Sequence, residues 1–174
     1  QGNKWMTNLY LTADQVGTPT GGGLVTAQEY AALKELPGDV HLESREQLAA
    51  IDLFAVEAPN RTSLANEFQE PWLWDNLAVH SFGNQIKLAH VYSGTFSESV
   101  KKLKANGAKV TYTIAAHSIE TSRREHEKLG IDYAGLYPHL CQPDLWRRYS
   151  AGYFAADHIV CPSTYSRNTV MAQA

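Results

Sequence analysis

The chain has 174 residues, of which 44% are hydrophobic and 19% charged, with a formal net charge of −3. That length suffices for one domain with a sizeable core, and the acidic balance argues against a nucleic-acid partner held mainly through phosphates. No run approaches the ~18 apolar residues of a membrane span, and the N-terminus lacks the apolar core of a signal peptide.

In chain order, Met6 to Thr12 reads as a strand rich in β-formers, followed by a loop from Ala13 to Gly23. Leu24, Ala27, Ala31 and Ala32 recur at helical spacing up to Leu36, and Pro37-Gly38 stops that helix. Val40 to Leu42 is a second strand and Leu53 to Val56 a short apolar run. Residues 58–83, with Pro59, Pro71, Trp72 and Trp74, form irregular helices or a lid-like excursion. Ile86 to Tyr92 is a strand, and Ser93-Gly94 turns into a helix with Phe96, Val100 and Leu103 on one face and Lys101, Lys102 and Lys104 on the other. Lys109 to Ala116 is the next strand. A charged helix from Ile119 to Leu129 is closed by Gly130, and a further helix spans Pro143 to Ala155. His158 to Cys161 is the last strand, after which Ser163 is placed to cap a new helix. That helix still runs at Met171–Ala174 with no breaker, which points to a piece of a longer protein.

Strands alternating with helices through short glycine-containing turns argue an α/β, Rossmann-like parallel sheet with helices on both faces. Ligands of such sheets sit beyond the carboxyl ends of the strands. Three strand exits therefore draw the search: residues 13–23, 92–95 and 115–120.

At the first exit, Gly21, Gly22 and Gly23 open a helix, where exposed N–H groups and the helix dipole favour an anion such as a phosphate. A flexible loop without a ligand is the plainer account. The spacing is neither G-x-G-x-x-G nor a P-loop. At the second, Tyr92 and Ser93 precede a helix; capping explains most such hydroxyl residues. At the third, His117 is placed to bond a sugar hydroxyl or assist proton transfer, though a loop histidine satisfied by backbone or solvent is the plainer account from position alone. Glu120, on the following helical turn, fits either a hydroxyl contact or the helix dipole. The two cysteines, Cys141 and Cys161, lack metal-ligand spacing and are too few for a disulfide scaffold, which suits a reducing cytoplasm. No histidine cluster has the spacing of a metal site.

Three pieces in order resemble the N-terminal domain of the GT-B glycosyltransferases, in particular the retaining group 1 (family 4) enzymes. They are Thr20-Gly21-Gly22-Gly23-Leu24, Tyr112-Thr113-Ile114-Ala115-Ala116-His117, and Ile159-Val160-Cys161-Pro162-Ser163-Thr164-Tyr165-Ser166. The resemblance implies that residues 1–174 are the acceptor-side Rossmann-like domain of an enzyme moving a sugar from a nucleotide-diphosphate donor to an acceptor hydroxyl with retention. It implies that the Gly22-Gly23 backbone approaches the donor diphosphate or the acceptor, and that His117 lies near the transferred sugar. Ser118 departs from the acidic residue that relatives often carry after the histidine. The donor-binding groups of that family sit on a second domain that 174 residues do not hold, so the chain alone is expected to be inactive; no cofactor or metal is required. The competing reading is a nucleotide- or NAD-binding module, for which Glu43, at the end of the second strand, is the nearest ribose-binding acid.

Overall fold

The computed structural model describes residues 7–12, 16–44, 75, 78–79, 83–92, 96–115, 119–137, 141 and 143–173. The elements are β1 (Thr7–Thr12), α1 (Gly21–Lys34), β2 (Asp39–Glu43), β3 (Ile86–Tyr92), α2 (Ser97–Ala105), β4 (Lys109–Thr113), α3 (Ile119–Lys128), α4 (Tyr133–Leu136), α5 (Pro143–Ala155), β5 (His158–Val160) and α6 (Thr164–Met171). Among the described residues the sheet has five strands in the order β2-β1-β3-β4-β5, and every neighbouring pair is parallel. The apolar run 53–56, Pro59, Pro71, Trp72 and Trp74 lie outside the described residues.

Strand order and handedness decide where the helices go. The chain steps from β1 outward to β2, then returns to β3 on the other side of β1 and steps on through β4 to β5. Parallel crossovers are right-handed in nearly all proteins, so the reversal sends α1 to one face and the later helices to the other. Side-chain alternation along the strands matches this division. Leu9, Leu11, Ala89, Val91, Val110 and Tyr112 pack with Phe96, Val100, Leu103 and Tyr153 into the larger core. Tyr10, Tyr92 and Leu33 form a smaller cluster under α1, flanked by Tyr30, Leu42 and Leu88. This is the α/β Rossmann-like fold with helices on both faces that the sequence pattern led us to expect.

Three boundaries differ from the sequence reading. The loop expected up to Gly23 ends at Thr20, and the three glycines form the first turn of α1, the helix start expected for them. β4 stops at Thr113 rather than Ala116, because β5 supplies only three partners and Ile114 makes a single further bond, donating its N–H to Val160 O at 3.1 Å. Third, α2 starts at Ser97, and its N-cap residue Phe96 makes no side-chain capping bond.

The cap of α2 comes from far away in sequence. The Asp75 carboxylate accepts from Glu98 N at 2.7 Å, Ser99 N at 2.8 Å and the Ser99 hydroxyl at 2.8 Å. Asp75 is only 3% exposed, so a buried negative charge is stabilised by first-turn N–H groups that would otherwise lack acceptors. At the opposite end of the sheet, Asp157 accepts from Lys104 Nζ at 2.7 Å and Val110 N at 2.9 Å. The Lys104 hydrogen bond first, with the Val110 N–H and the charges of Lys104 and Lys109, holds the Asp157 carboxyl down at about 2. The C-terminal helix is tied in by Tyr153, whose hydroxyl donates to Gln173 Oε1 at 3.2 Å and whose burial pushes its pKa up to about 12.

Asp75→Ala should cost about 2 kcal/mol, the scale of a lost helix cap with polar groups left buried. Urea denaturation followed by circular dichroism reads this directly, and an unchanged midpoint would remove Asp75 from the account of α2.

Candidate functional site

The carboxyl edge of the sheet is where the chain gathers its candidate residues. Strand order reverses between β1 and β3, and in open parallel sheets the ligand crevice lies at that reversal. Neighbouring strands run ~4.8 Å apart, so the exits of β1, β3 and β4 fall within about 10 Å of one another. The glycine turn follows β1, Tyr92 ends β3, and Glu120 lies in the first turn after β4.

Each glycine of the turn has a distinct part. Thr20 is the N-cap of α1, and its hydroxyl accepts from Gly23 N at 3.0 Å. The carbonyl of Gly23 accepts from Gly17 N at 2.9 Å and from the Thr26 hydroxyl at 2.9 Å. These bonds fold residues 17–20 back over the helix start. A Cβ on Gly23 would lie 2.5 Å from Thr18 O and 2.7 Å from Thr18 N, so only glycine fits there. Gly21 has open space around it. The N–H groups of Gly21 and Gly22 have no acceptor among the described residues, and no acidic side chain occupies the first turn. Gly23 is thus a packing glycine, and Gly21 and Gly22 present the donors.

The other sequence candidates divide. His117 and Ser93 lie outside the described residues. Tyr92 is 4% exposed and packs in the cluster under α1. Glu120 accepts from Arg123 Nη2 at 3.0 Å one turn along α3, the ordinary arrangement of an exposed helix pair. Burial pushes the Cys161 thiol up, the wrong direction for a nucleophilic thiolate. Among the described residues no three His, Cys, Asp or Glu side chains are grouped to hold a metal ion, and no helix is long and apolar enough to cross a membrane.

A polar seam absent from the sequence reading lies beneath α1. Tyr10, His90 and Thr111 stand in register across β1, β3 and β4, so their side chains share one face. Glu29 reaches down from α1 and accepts from the Tyr10 hydroxyl at 2.9 Å and pairs with His90 Nε2 at 3.1 Å. His90 Nδ1 lies 2.7 Å from Thr111 Oγ1, and Nε2 lies 3.2 Å from Thr113 Oγ1. Tyr10 and His90 stack with ring centroids 5.5 Å apart. Burial works to raise the Glu29 carboxyl, but the bonds and charge from His90, with those from Tyr10 and Thr113, outweigh it and hold the group below its ordinary value.

The Thr111–His90–Glu29 order has the connectivity of a nucleophile, base and orienting acid. Thr111, however, lies inside β4, which is paired on both edges. The seam is a fastening between α1 and the sheet, with side-chain exposures of 17% for His90 and 21% for Glu29. A histidine in the middle of an apolar strand was the one signal of it in the sequence.

No protein-family model, curated protein or solved structure matches this chain.

Gly23→Ala should destabilise by about 2 kcal/mol through its clash with the Thr18 backbone, whereas Gly21→Ala should stay within ~0.5 kcal/mol of the wild type. Thermal denaturation of the two variants side by side tests this contrast. For Glu29, a folded-state pKa below the unfolded value means its contribution is complete above the unfolded pKa and fades as pH falls through the folded one. Stability measured from pH 7 to pH 3 should therefore decline more steeply in the wild type than in Glu29→Gln, with the variant about 2 kcal/mol weaker at pH 7. Parallel curves would show that Glu29 is not ionised against the seam.

Proposed function

We propose that the chain is the N-terminal, acceptor-side domain of a retaining GT-B glycosyltransferase of the group 1 (family 4) kind. The observation that carries the reading is the placement of its three motifs. The Thr20–Leu24 turn comes after β1, Tyr112–Ala115 runs off the end of β4, and Ile159–Ser166 runs from β5 into α6, the three strands belonging to one parallel sheet. Ala116 and His117 lie outside the described residues. In the last of these, Ser163 caps α6 by accepting from Ser166 N at 3.0 Å, so the Pro162-Ser163 pair begins a helix as the resemblance implies.

On this reading the Gly21 and Gly22 N–H groups meet the anionic or hydroxyl oxygens of a ligand, and Gly23 shapes the turn that presents them. His117 stands near the transferred sugar. The donor diphosphate is held chiefly by a second domain, whose helix dipole and basic side chains stabilise the leaving group of an oxocarbenium-like transition state. A cytoplasmic site of action suits an enzyme drawing on nucleotide-sugar donors.

One observation favours the other reading, a nucleotide- or NAD-binding module. Glu43 ends β2, and its Oε1 pairs with His41 Nε2 at 2.5 Å, while its buried Oε2 has no hydrogen-bond partner among the described residues. An acid at that position is where a ribose hydroxyl would be received. The glycine spacing counts against this reading.

The isolated chain should give no sugar transfer from any nucleotide sugar, and transfer should appear when a donor-binding domain is joined to it. In the joined protein, His117→Ala should lower kcat by about 100-fold or more. Robust turnover by the 174-residue chain alone would overturn the assignment. Calorimetric titration separates the two readings: NAD(P) binding lost in Glu43→Ala would establish the second.

A further inference from the structure

Helix α1 is amphipathic the wrong way round. Thr26, Glu29, Tyr30 and Leu33 turn toward the sheet, while Leu24 is 58% and Val25 38% exposed, with Gln28, Ala31 and Ala32 also in solvent. With Gly21 and Glu35, these outward positions follow a heptad seam: residues 21, 28 and 35 alternate with 24 and 31, and 25 and 32 lie alongside. Glu35 carries the seam's single charge, and Lys34 stands just off it over the ring of Tyr30, 4.1 Å from its centroid. A stripe of this kind, apolar but for Gln28 at its centre and Glu35 at one end, runs along a helix of 14 residues or about 21 Å and offers a docking face.

We propose that its occupant is α1 of a second copy of this chain, packed antiparallel about a two-fold axis at Gln28. The stripe is complementary to itself under that symmetry, whereas a parallel pair would set Glu35 against its own copy. Rotation about Gln28 sets Leu24 against Ala32 and Val25 against Ala31, so the large side chains of one helix meet the small ones of the other. Small residues at those contacts let the helix axes approach to about 8 Å. The same rotation sets Glu35 against Gly21. There the partner's carboxylate meets the Gly21 and Gly22 N–H groups, which have no acceptor among the described residues, at a helix start whose first turn has no acidic residue. Gln28 meets its own copy on the axis, where two amides can exchange hydrogen bonds. The inference rests on the packing of α1 and is independent of the proposed enzymatic activity.

One helix pair covers less than the ~800 Å² per partner of a standard interface, so the dimer should be weak, with Kd on the order of 100 μM. Sedimentation velocity across ~5 μM to ~1 mM should show the mass rising from 19.3 kDa toward twice that value. Gln28→Glu places two carboxylates on the axis and should raise Kd at least ~10-fold, while Gln28→Leu should lower it by a similar factor. Glu35→Gln should weaken association several-fold. Gln28 and Glu35 are exposed, so the variants keep the fold, as circular dichroism would register. A chain that stays monomeric up to ~1 mM overturns the proposal, as does a dimer equally strong in Gln28→Glu and Gln28→Leu.

Discussion

The pairing of β1 with β3 is the constraint from which the rest of the molecule follows. These strands are neighbours in the sheet although some 70 residues separate them in sequence, and the chain reverses its direction of travel across the sheet between them. Right-handed crossovers then leave no freedom: α1 must cover one face, and α2 and α5 the other. The same reversal puts the helices after β1 and β3 on opposite faces, the place where open parallel sheets generally hold a ligand crevice. The apolar energy is unequally shared. Phe96, Val100, Leu103 and Tyr153 give the second face a continuous core, whereas among the described residues the first has Tyr10, Tyr92 and Leu33 under cover.

That imbalance explains the polar seam. Among the described residues the apolar cluster under α1 is the smaller of the two, and the Glu29 bonds to Tyr10 and His90 supply direction as well as energy. A carboxylate held this way fixes the rotation of α1 about its axis within a narrow range, because a turn of one residue would carry Glu29 about 100° away from the sheet. Fixing Glu29 inward fixes Leu24, Val25, Ala31 and Ala32 outward. It also fixes the orientation of the Gly21 and Gly22 N–H groups, which ride on the first turn of the same helix.

Much of the fold was legible in the sequence, and the reasons for the exceptions are physical. Alternating strands and helices with glycine turns were enough for a parallel α/β sheet, and Val100 and Leu103 marked the buried face of α2 correctly. For α1, helical spacing picked out Leu24, Ala27, Ala31 and Ala32, but Leu24, Ala31 and Ala32 face solvent. Periodicity identifies a stripe without saying which surface covers it, and a Glu–His–Tyr contact between distant strands has no local signature. The cap of α2 was hidden for the same reason, since Asp75 lies more than twenty residues before the N–H groups it binds. The end of β4 depended on how few partners β5 supplies. Gly21, Gly22, Tyr92 and Glu120 do lie at strand exits, although Tyr92 is buried and Glu120 pairs with Arg123, while the separate packing duty of Gly23 needed the position of Thr18. His117 and Ser93 lie outside the described residues, so their placement still rests on the sequence.

The two proposals meet at one pair of N–H groups. A diphosphate or acceptor oxygen at Gly21 and Gly22 would occupy the donors that the partner's Glu35 approaches in the antiparallel pair. Two acceptors cannot share the same first turn at full strength, because a carboxylate and an anionic ligand also repel each other. Linkage makes the effect reciprocal: whatever factor the ligand subtracts from self-association, self-association subtracts from ligand affinity. With a weak pair the ligand should prevail at low protein concentration, and the helix seam should prevail where chains are crowded. The glycine turn is in that sense a shared terminus. Its geometry is set by Thr20, Thr18 and Gly23, and either a small anion or a second α1 can satisfy what that geometry leaves open.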